Sequence, residues 1–223
     1  MEFLKKSNHS LKPHPDARPR DIYPQGRIER LVAQRMAILV VDVQNWVMAD
    51  GRTEFHAKVR EQTIPNIRRL LAVGREHGIE IVFTTIENLT RDGRDRSLDY
   101  KLSNFFVPKG SWDAKVVEEL QPLEDEIVLP KTSSSLFNST NFDYLMRNIG
   151  IDTIAVTGFL TDQCVDQTIR DGADKGYRMI SVTDCYATVS EERHAAALNA
   201  FKGYCRMEST KTLIEAIRHD INT

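Results

Sequence analysis

Thr153-Ile154-Ala155-Val156-Thr157-Gly158-Phe159-Leu160-Thr161-Asp162-Gln163-Cys164-Val165 reads as a buried strand running into a turn and then a helix. The run from Thr153 to Val156 is short, apolar and rich in β-branched residues, which suits a strand. Gly158 interrupts it and polar residues follow. Val165 to Lys175 then reads as a helix, with Gly176 past its end. Passages of this kind are the repeating unit of a parallel α/β sheet. Cys164 stands where the turn meets the helix. Unpaired backbone N–H groups and the positive end of the helix dipole favour thiolate over thiol at such a place. A thiolate is the species that attacks carbonyl carbon. The competing reading is a small core residue, the usual station of a free cysteine, and position alone leaves both open.

Outward from this stretch the same alternation continues. Strands are expected at Ala37 to Val41, Glu80 to Thr85, Glu126 to Leu129 and Arg178 to Val182, with a short last one at Arg206 and Met207. Between them, Ile64, Ile67, Leu70, Leu71 and Val73 recur at helical spacing within Glu61 to His77, and Gly78 is placed to cap that helix. Further helices are expected at Asn141 to Asn148, Glu191 to Tyr204 and Thr210 to His219. The fold class implied is α/β: a three-layer, mostly parallel doubly wound sheet with helices on both faces. Asn88 to Ser111 reads as a long polar loop, and such loops in compact domains are commonly functional or lids.

Two other segments carry chemistry. In Ile38-Leu39-Val40-Val41-Asp42-Val43-Gln44-Asn45, an acid follows four apolar residues at the C-terminal end of a strand. Ligands bind at that end of an open α/β sheet, so Asp42 is either a structural cap or an acid–base group. In Glu126-Ile127-Val128-Leu129-Pro130-Lys131-Thr132-Ser133-Ser134-Ser135-Leu136-Phe137, a lysine ends the strand. Lys131 is either solvated surface or the charge partner of a site where Asp42 and Cys164 converge.

These three segments resemble the isochorismatase-like cysteine hydrolases, which include nicotinamidases, N-carbamoylsarcosine amidohydrolases and ureidoacrylate amidohydrolases. The matching residues are Asp42 with Gln44, Lys131 with Ser135 and Phe137, and Gly158, Thr161, Cys164 and Val165, in the family's order. The resemblance runs from about Arg35 to the C-terminus. It implies the isochorismatase-like hydrolase fold and hydrolysis of a C–N bond in a small amide, ureido or carbamoyl compound through a Cys164 thioester. In that scheme Asp42 is the proton acceptor and donor, Lys131 keeps the local field positive, and the backbone N–H groups of Leu160 and Cys164 form the oxyanion hole. The resemblance also implies a cis peptide bond at Phe159–Leu160. No cofactor is expected. The family's nicotinamidases hold a metal through histidines after the second strand, and Asn88 to Asp113 contains none, so no metal site is expected here. Isochorismatase-type vinyl-ether hydrolysis and a catalytically inactive binding or scaffold protein stand as alternatives. A dinucleotide-binding domain is excluded because no G-x-G-x-x-G follows the first strand.

Substrate contacts are expected from Gln44, Glu87, Asn88, Tyr100, Asn104, Phe105, Ser135 and Phe137, each with plain packing or turn structure as its competing reading. Phe106 is a further candidate for the pocket wall. Asp162 and Gln163 read as structural or as supports behind the site, and His194 as a surface or interface histidine. The chain's 223 residues suit one domain, 26–223, preceded by an extended N-terminal arm over 1–25 that fits a role between subunits. Lys and Arg number 30 against 32 Asp and Glu, which offers no basic surface for nucleic acid or membrane. No apolar run is long enough to span a bilayer, and the N-terminus lacks the apolar stretch of a secretory signal. Three cysteines without metal-like spacing point to free thiols in the cytoplasm. The expected partner is a small-molecule substrate, and the resemblance implies a homo-oligomer, dimer or tetramer.

Overall fold

The structure is a computed structural model that describes residues 30–49 and 53–221. The expected arm over 1–25 lies outside the described residues. Six strands form one sheet: β1 (Met36–Val41), β2 (Glu80–Ile86), β3 (Ile127–Lys131), β4 (Thr153–Phe159), β5 (Arg178–Ala187) and β6 (Arg206–Glu208). Their spatial order is β3-β2-β1-β4-β5-β6, and every pairing is parallel. The helices are α1 (Asn45–Met48), α2 (Glu54–Lys58), α3 (Ile64–Glu76), α4 (Leu98–Leu102), α5 (Leu136–Ser139), α6 (Phe142–Ile149), α7 (Asp166–Asp174), α8 (Glu191–Phe201) and α9 (Thr210–Ile221).

The two faces of the sheet follow from the two-residue period of a strand. In β1, Met36, Ile38 and Val40 enter one core, with Ile67, Leu70 and Leu71 of α3 and Leu213 and Ile217 of α9. Ala37, Leu39 and Val41 enter the other, with Phe142 and Met146 of α6, Ile169 of α7 and Phe201 of α8. Both faces being covered, β1 and β4 are buried along their whole length, and β1 reads as an unbroken apolar run. Pro130 is tolerated because β3 is an edge strand.

Gly78 ends the α3 helix as expected. It takes a left-handed φ of 64°, and Ile79 N–H donates to Gly74 C=O at 2.9 Å. The helix itself starts earlier than its apolar period suggests. α2 leads into a π turn at Val59–Thr63, which passes directly into α3. The expected loop over Asn88 to Ser111 holds the short helix α4, capped by Ser97 Oγ, which accepts from Tyr100 N–H at 3.2 Å. Between β1 and β4 the strand order reverses direction, and the C-terminal ends of neighbouring strands open a crevice at such a point.

Candidate active site

Asp42 is the first residue past β1, at that crevice. It holds a left-handed φ of 53°, a conformation that Asp adopts more readily than most side chains. Gly158 of β4 lies alongside, paired with Val41. A Cβ there would sit 2.1 Å from Val41 O, so only glycine lets the two strand ends approach. Thr84 Oγ1 of β2 donates to Asp42 Oδ1 at 2.8 Å. Lys131, the last residue of β3, places Nζ 2.8 Å from Asp42 Oδ2. That ammonium also donates to the carbonyls of Ser133 at 2.9 Å and Ser134 at 3.1 Å, and to Cys164 Sγ at 3.3 Å. Oδ2 receives no well-directed hydrogen bond, so the ammonium meets it as an ion pair and lone-pair capacity remains. Lys131 is 0% exposed, Asp42 1% and Cys164 4%. A lysine this deeply buried requires paired and hydrogen-bonded surroundings, and it has both.

Cys164 is delivered by the turn after β4. The Phe159–Leu160 peptide is cis, and a π turn at Thr161–Val165 follows and continues into α7. Leu160 C=O accepts from Gln163 N–H at 3.1 Å and Val165 N–H at 3.3 Å. His194, expected as a surface or interface histidine, is half-buried on α8 and shares a 2.9 Å hydrogen bond with Thr161 Oγ1. Asp162 is structural: it accepts from Thr188 Oγ1 at 2.5 Å and pairs with Arg193.

The electrostatics correct one expectation. Burial pushes the Cys164 thiol up to about 12; Lys131 acts against this, and the Asp42 carboxylate adds to it. Desolvation thus outweighs the neighbouring cation and favours the thiol over the thiolate. Burial would lower the pKa of Lys131, but the charge of Asp42, helped by Cys164 and Tyr100, raises it instead, so the ammonium persists. Tyr100 is raised as well, by burial first, and its phenol oxygen stands 4.0 Å from Cys164 Sγ.

A cavity of about 540 Å³ opens over these groups. Its buried floor has Asp42, Cys164, Ile86 and Phe159, and its walls include Trp46, Phe105, Tyr100 and Leu160. Of the expected substrate contacts, Tyr100 and Phe105 line it. The others lie elsewhere, each for a visible reason. Gln44 is a buried bracket: Nε2 donates to Ile86 C=O at 3.1 Å and Ala114 C=O at 2.8 Å, and Oε1 accepts from Ile86 N–H at 2.7 Å. Glu87 accepts from Gly110 N–H at 2.7 Å, and Asn88 Oδ1 from Val107 N–H at 3.0 Å, so both tie down the following loop. Asn104 is exposed at a left-handed turn with φ 53°. Ser135 caps α5, and Phe137 packs against Phe142 and Tyr177. Phe106 lies under the Arg96 guanidinium, 5.2 Å from its ring centroid, rather than in the cavity.

Trp46, Val47, Ser103, Ser134, Gln163, Gln167 and Asp99 line the cavity without having been expected. For Gln163 and Gln167 a sequence signal existed: they lie one residue before and three after Cys164, Gln163 on the turn and Gln167 in the first turn of α7. Among the described residues no three His, Cys, Asp or Glu side chains cluster as a metal site requires.

Comparison with known proteins gives the family of the chain. The family model for the isochorismatase domain matches residues 36–213. A ureidoacrylate amidohydrolase, RutB, of Pantoea ananatis is 33% identical over 159 residues, covering 62% of this chain and 64% of the relative. An N-carbamoylsarcosine amidase of an Arthrobacter species is 30% identical over 166 residues, 71% of this chain and 62% of the relative. The chain thus spans less than two thirds of the length of these two relatives. Among solved structures, a cysteine hydrolase from Pseudomonas syringae pv. phaseolicola superposes with a TM-score of 0.76 at 23% identity, over 86% of this chain and 96% of that one. A parallel sheet with Asp42, Lys131 and Cys164 gathered at its switch point, together with a family match over most of the described residues, makes this chain a member of the isochorismatase family.

Proposed function

We propose that this protein is a cysteine amidohydrolase that cleaves a C–N bond of a small amide, ureido or carbamoyl compound. The observation that carries the reading is the buried Asp42–Lys131–Cys164 cluster, of which Asp42 and Cys164 line a small-molecule-sized cavity. In the reaction, Cys164 Sγ bonds the carbonyl carbon as its proton passes to Asp42. The carbonyl oxygen becomes an oxyanion between the backbone N–H groups of Leu160 and Cys164. Asp42 returns the proton to the leaving nitrogen, the C–N bond breaks, and ammonia or an amine departs. Water then loses a proton to Asp42 and attacks the thioester, which frees the thiol and the acid. Lys131 supplies the compensating charge throughout. The relatives' names, ureidoacrylate amidohydrolase and N-carbamoylsarcosine amidase, support the reaction class.

A panel of small amides, ureas and carbamoyl compounds, assayed for ammonia, tests the proposal. Hydroxylamine in the assay should divert the enzyme-bound group to a hydroxamate from an amide, or to a hydroxyurea from a urea or carbamoyl compound, at the expense of the acid. Turnover of panel members with neither product at any hydroxylamine concentration would count against the covalent intermediate. Binding of panel members with no ammonia would favour the inactive, binding-only reading.

A further inference from the structure

From the wall of the cavity, and resting on the reaction proposed above, we infer the charge class of the substrate: the part remote from the scissile bond is neutral or cationic, and Asp99 selects it. Exposure sorts the lining into two zones. Asp42, Ile86, Phe159 and Cys164 are buried and form the floor, while Asp99, Ser103, Gln163 and Gln167 are exposed and ring the mouth. Between them Trp46, Tyr100 and Phe105 make an aromatic wall, with Phe105 edge-on to both other rings at 5.0 Å.

Outside the Asp42–Lys131–Cys164 cluster, Asp99 is the one charged side chain on this lining among the described residues. Its carboxylate makes no hydrogen bond or ion pair with them; its backbone carbonyl alone is engaged, by Ser103. Lys131 cannot receive a remote carboxylate, because it is fully buried, does not line the cavity and is committed to Asp42, Ser133, Ser134 and Cys164. A substrate whose carbonyl sits at Cys164 therefore presents its other end, among the described residues, to one carboxylate, one hydroxyl and two carboxamides. An ammonium or neutral N–H end gains there, and a carboxylate end is repelled. Asp99 is in the first turn of α4, where an acid also suits the helix dipole. That role would leave charge selectivity at Cys164 untouched, so selectivity is the property to measure.

The test compares Cys164 alkylation by iodoacetate, iodoacetamide and 2-bromoethylamine, each rate divided by that for 2-mercaptoethanol at the same pH. The wild-type protein should favour the cationic and neutral reagents over iodoacetate. Asp99→Lys, an exposed substitution, should lower the cation-to-anion rate ratio roughly tenfold, with Asp99→Asn between. A ratio that moves less than twofold, or a wild-type preference for iodoacetate, overturns the inference. In parallel, 4-aminobutylurea, pentylurea and 4-ureidobutanoate are compared for kcat/KM. The first two should exceed the third, and Asp99→Lys should reverse the order mainly through KM. Failure of all three ureas to react would count against the proposed reaction on this scaffold, while the alkylation ratios still decide the charge reading.

Discussion

Lys131 carries a full charge with no exposed surface, and the site depends on that charge staying paired. Its ammonium is satisfied by one carboxylate, two carbonyls and a sulfur, so the energetic cost of burying it is offset only while each partner is present. Lys131→Ala strands the Asp42 carboxylate in the core. Urea unfolding should show a loss of about 3–5 kcal/mol, and Asp42→Leu in the same chain should recover much of it. Additive losses in the double variant would mean that the two side chains are not a coupled pair. The Asp42 charge has a second consequence. Together with burial, it favours the protonated form of Cys164, and in the proposed reaction the same carboxylate is the acceptor when sulfur attacks.

At the scale of the element, the site is set by where strands stop. β1, β3 and β4 end at Val41, Lys131 and Phe159, and the cluster hangs from those ends. Gly158 is the hinge of this arrangement, with φ 108° and no room for a side chain against Val41. Gly158→Ala should cost about 3 kcal/mol and displace Asp42 enough to remove activity. Gly78→Ala, at a left-handed helix cap with open space around it, should cost only about 1 kcal/mol and leave activity intact. Equal effects in a thermal melt would contradict this reading of Gly158.

Strands and helices were legible in the sequence wherever a period of two or 3.6 could build up, as in Ala37 to Val41 or Ile64 to Val73. Asp42 and Lys131 were legible because each closes such a run, and Cys164 because it stands where the turn meets a periodic helix. α4 was not, because five residues in a polar loop show no period. Most of the cavity wall was hidden for a related reason: Trp46 and Phe105 meet through contacts distant in sequence. The direction of the Cys164 shift was misread because a helix start is visible in sequence and the depth of burial is not.

The molecule as a whole buries several groups that ionise only at high pH. Cys164 is pushed up to about 12, and Cys185, Tyr100 and Tyr186 are raised above their ordinary values, in each case chiefly by burial. In the unfolded chain thiols lose protons from about pH 8.5 and phenols from about pH 10. The folded chain holds those protons longer, so this contribution to stability is complete below about pH 8.5 and fades as pH rises toward 12. The thermal midpoint should be level from pH 7 to about 8.5 and then fall, less steeply in Cys164→Ala. A midpoint level to pH 11 would mean that these groups are not held neutral by the fold.

The most direct measurement of the central claim compares ammonia release by wild type and Cys164→Ala on the best panel substrate, with far-UV circular dichroism of both. The expected result is a loss of at least roughly a thousandfold with the spectrum unchanged, because the bond-forming atom is gone. Activity within tenfold of wild type would contradict a mechanism that passes through Cys164.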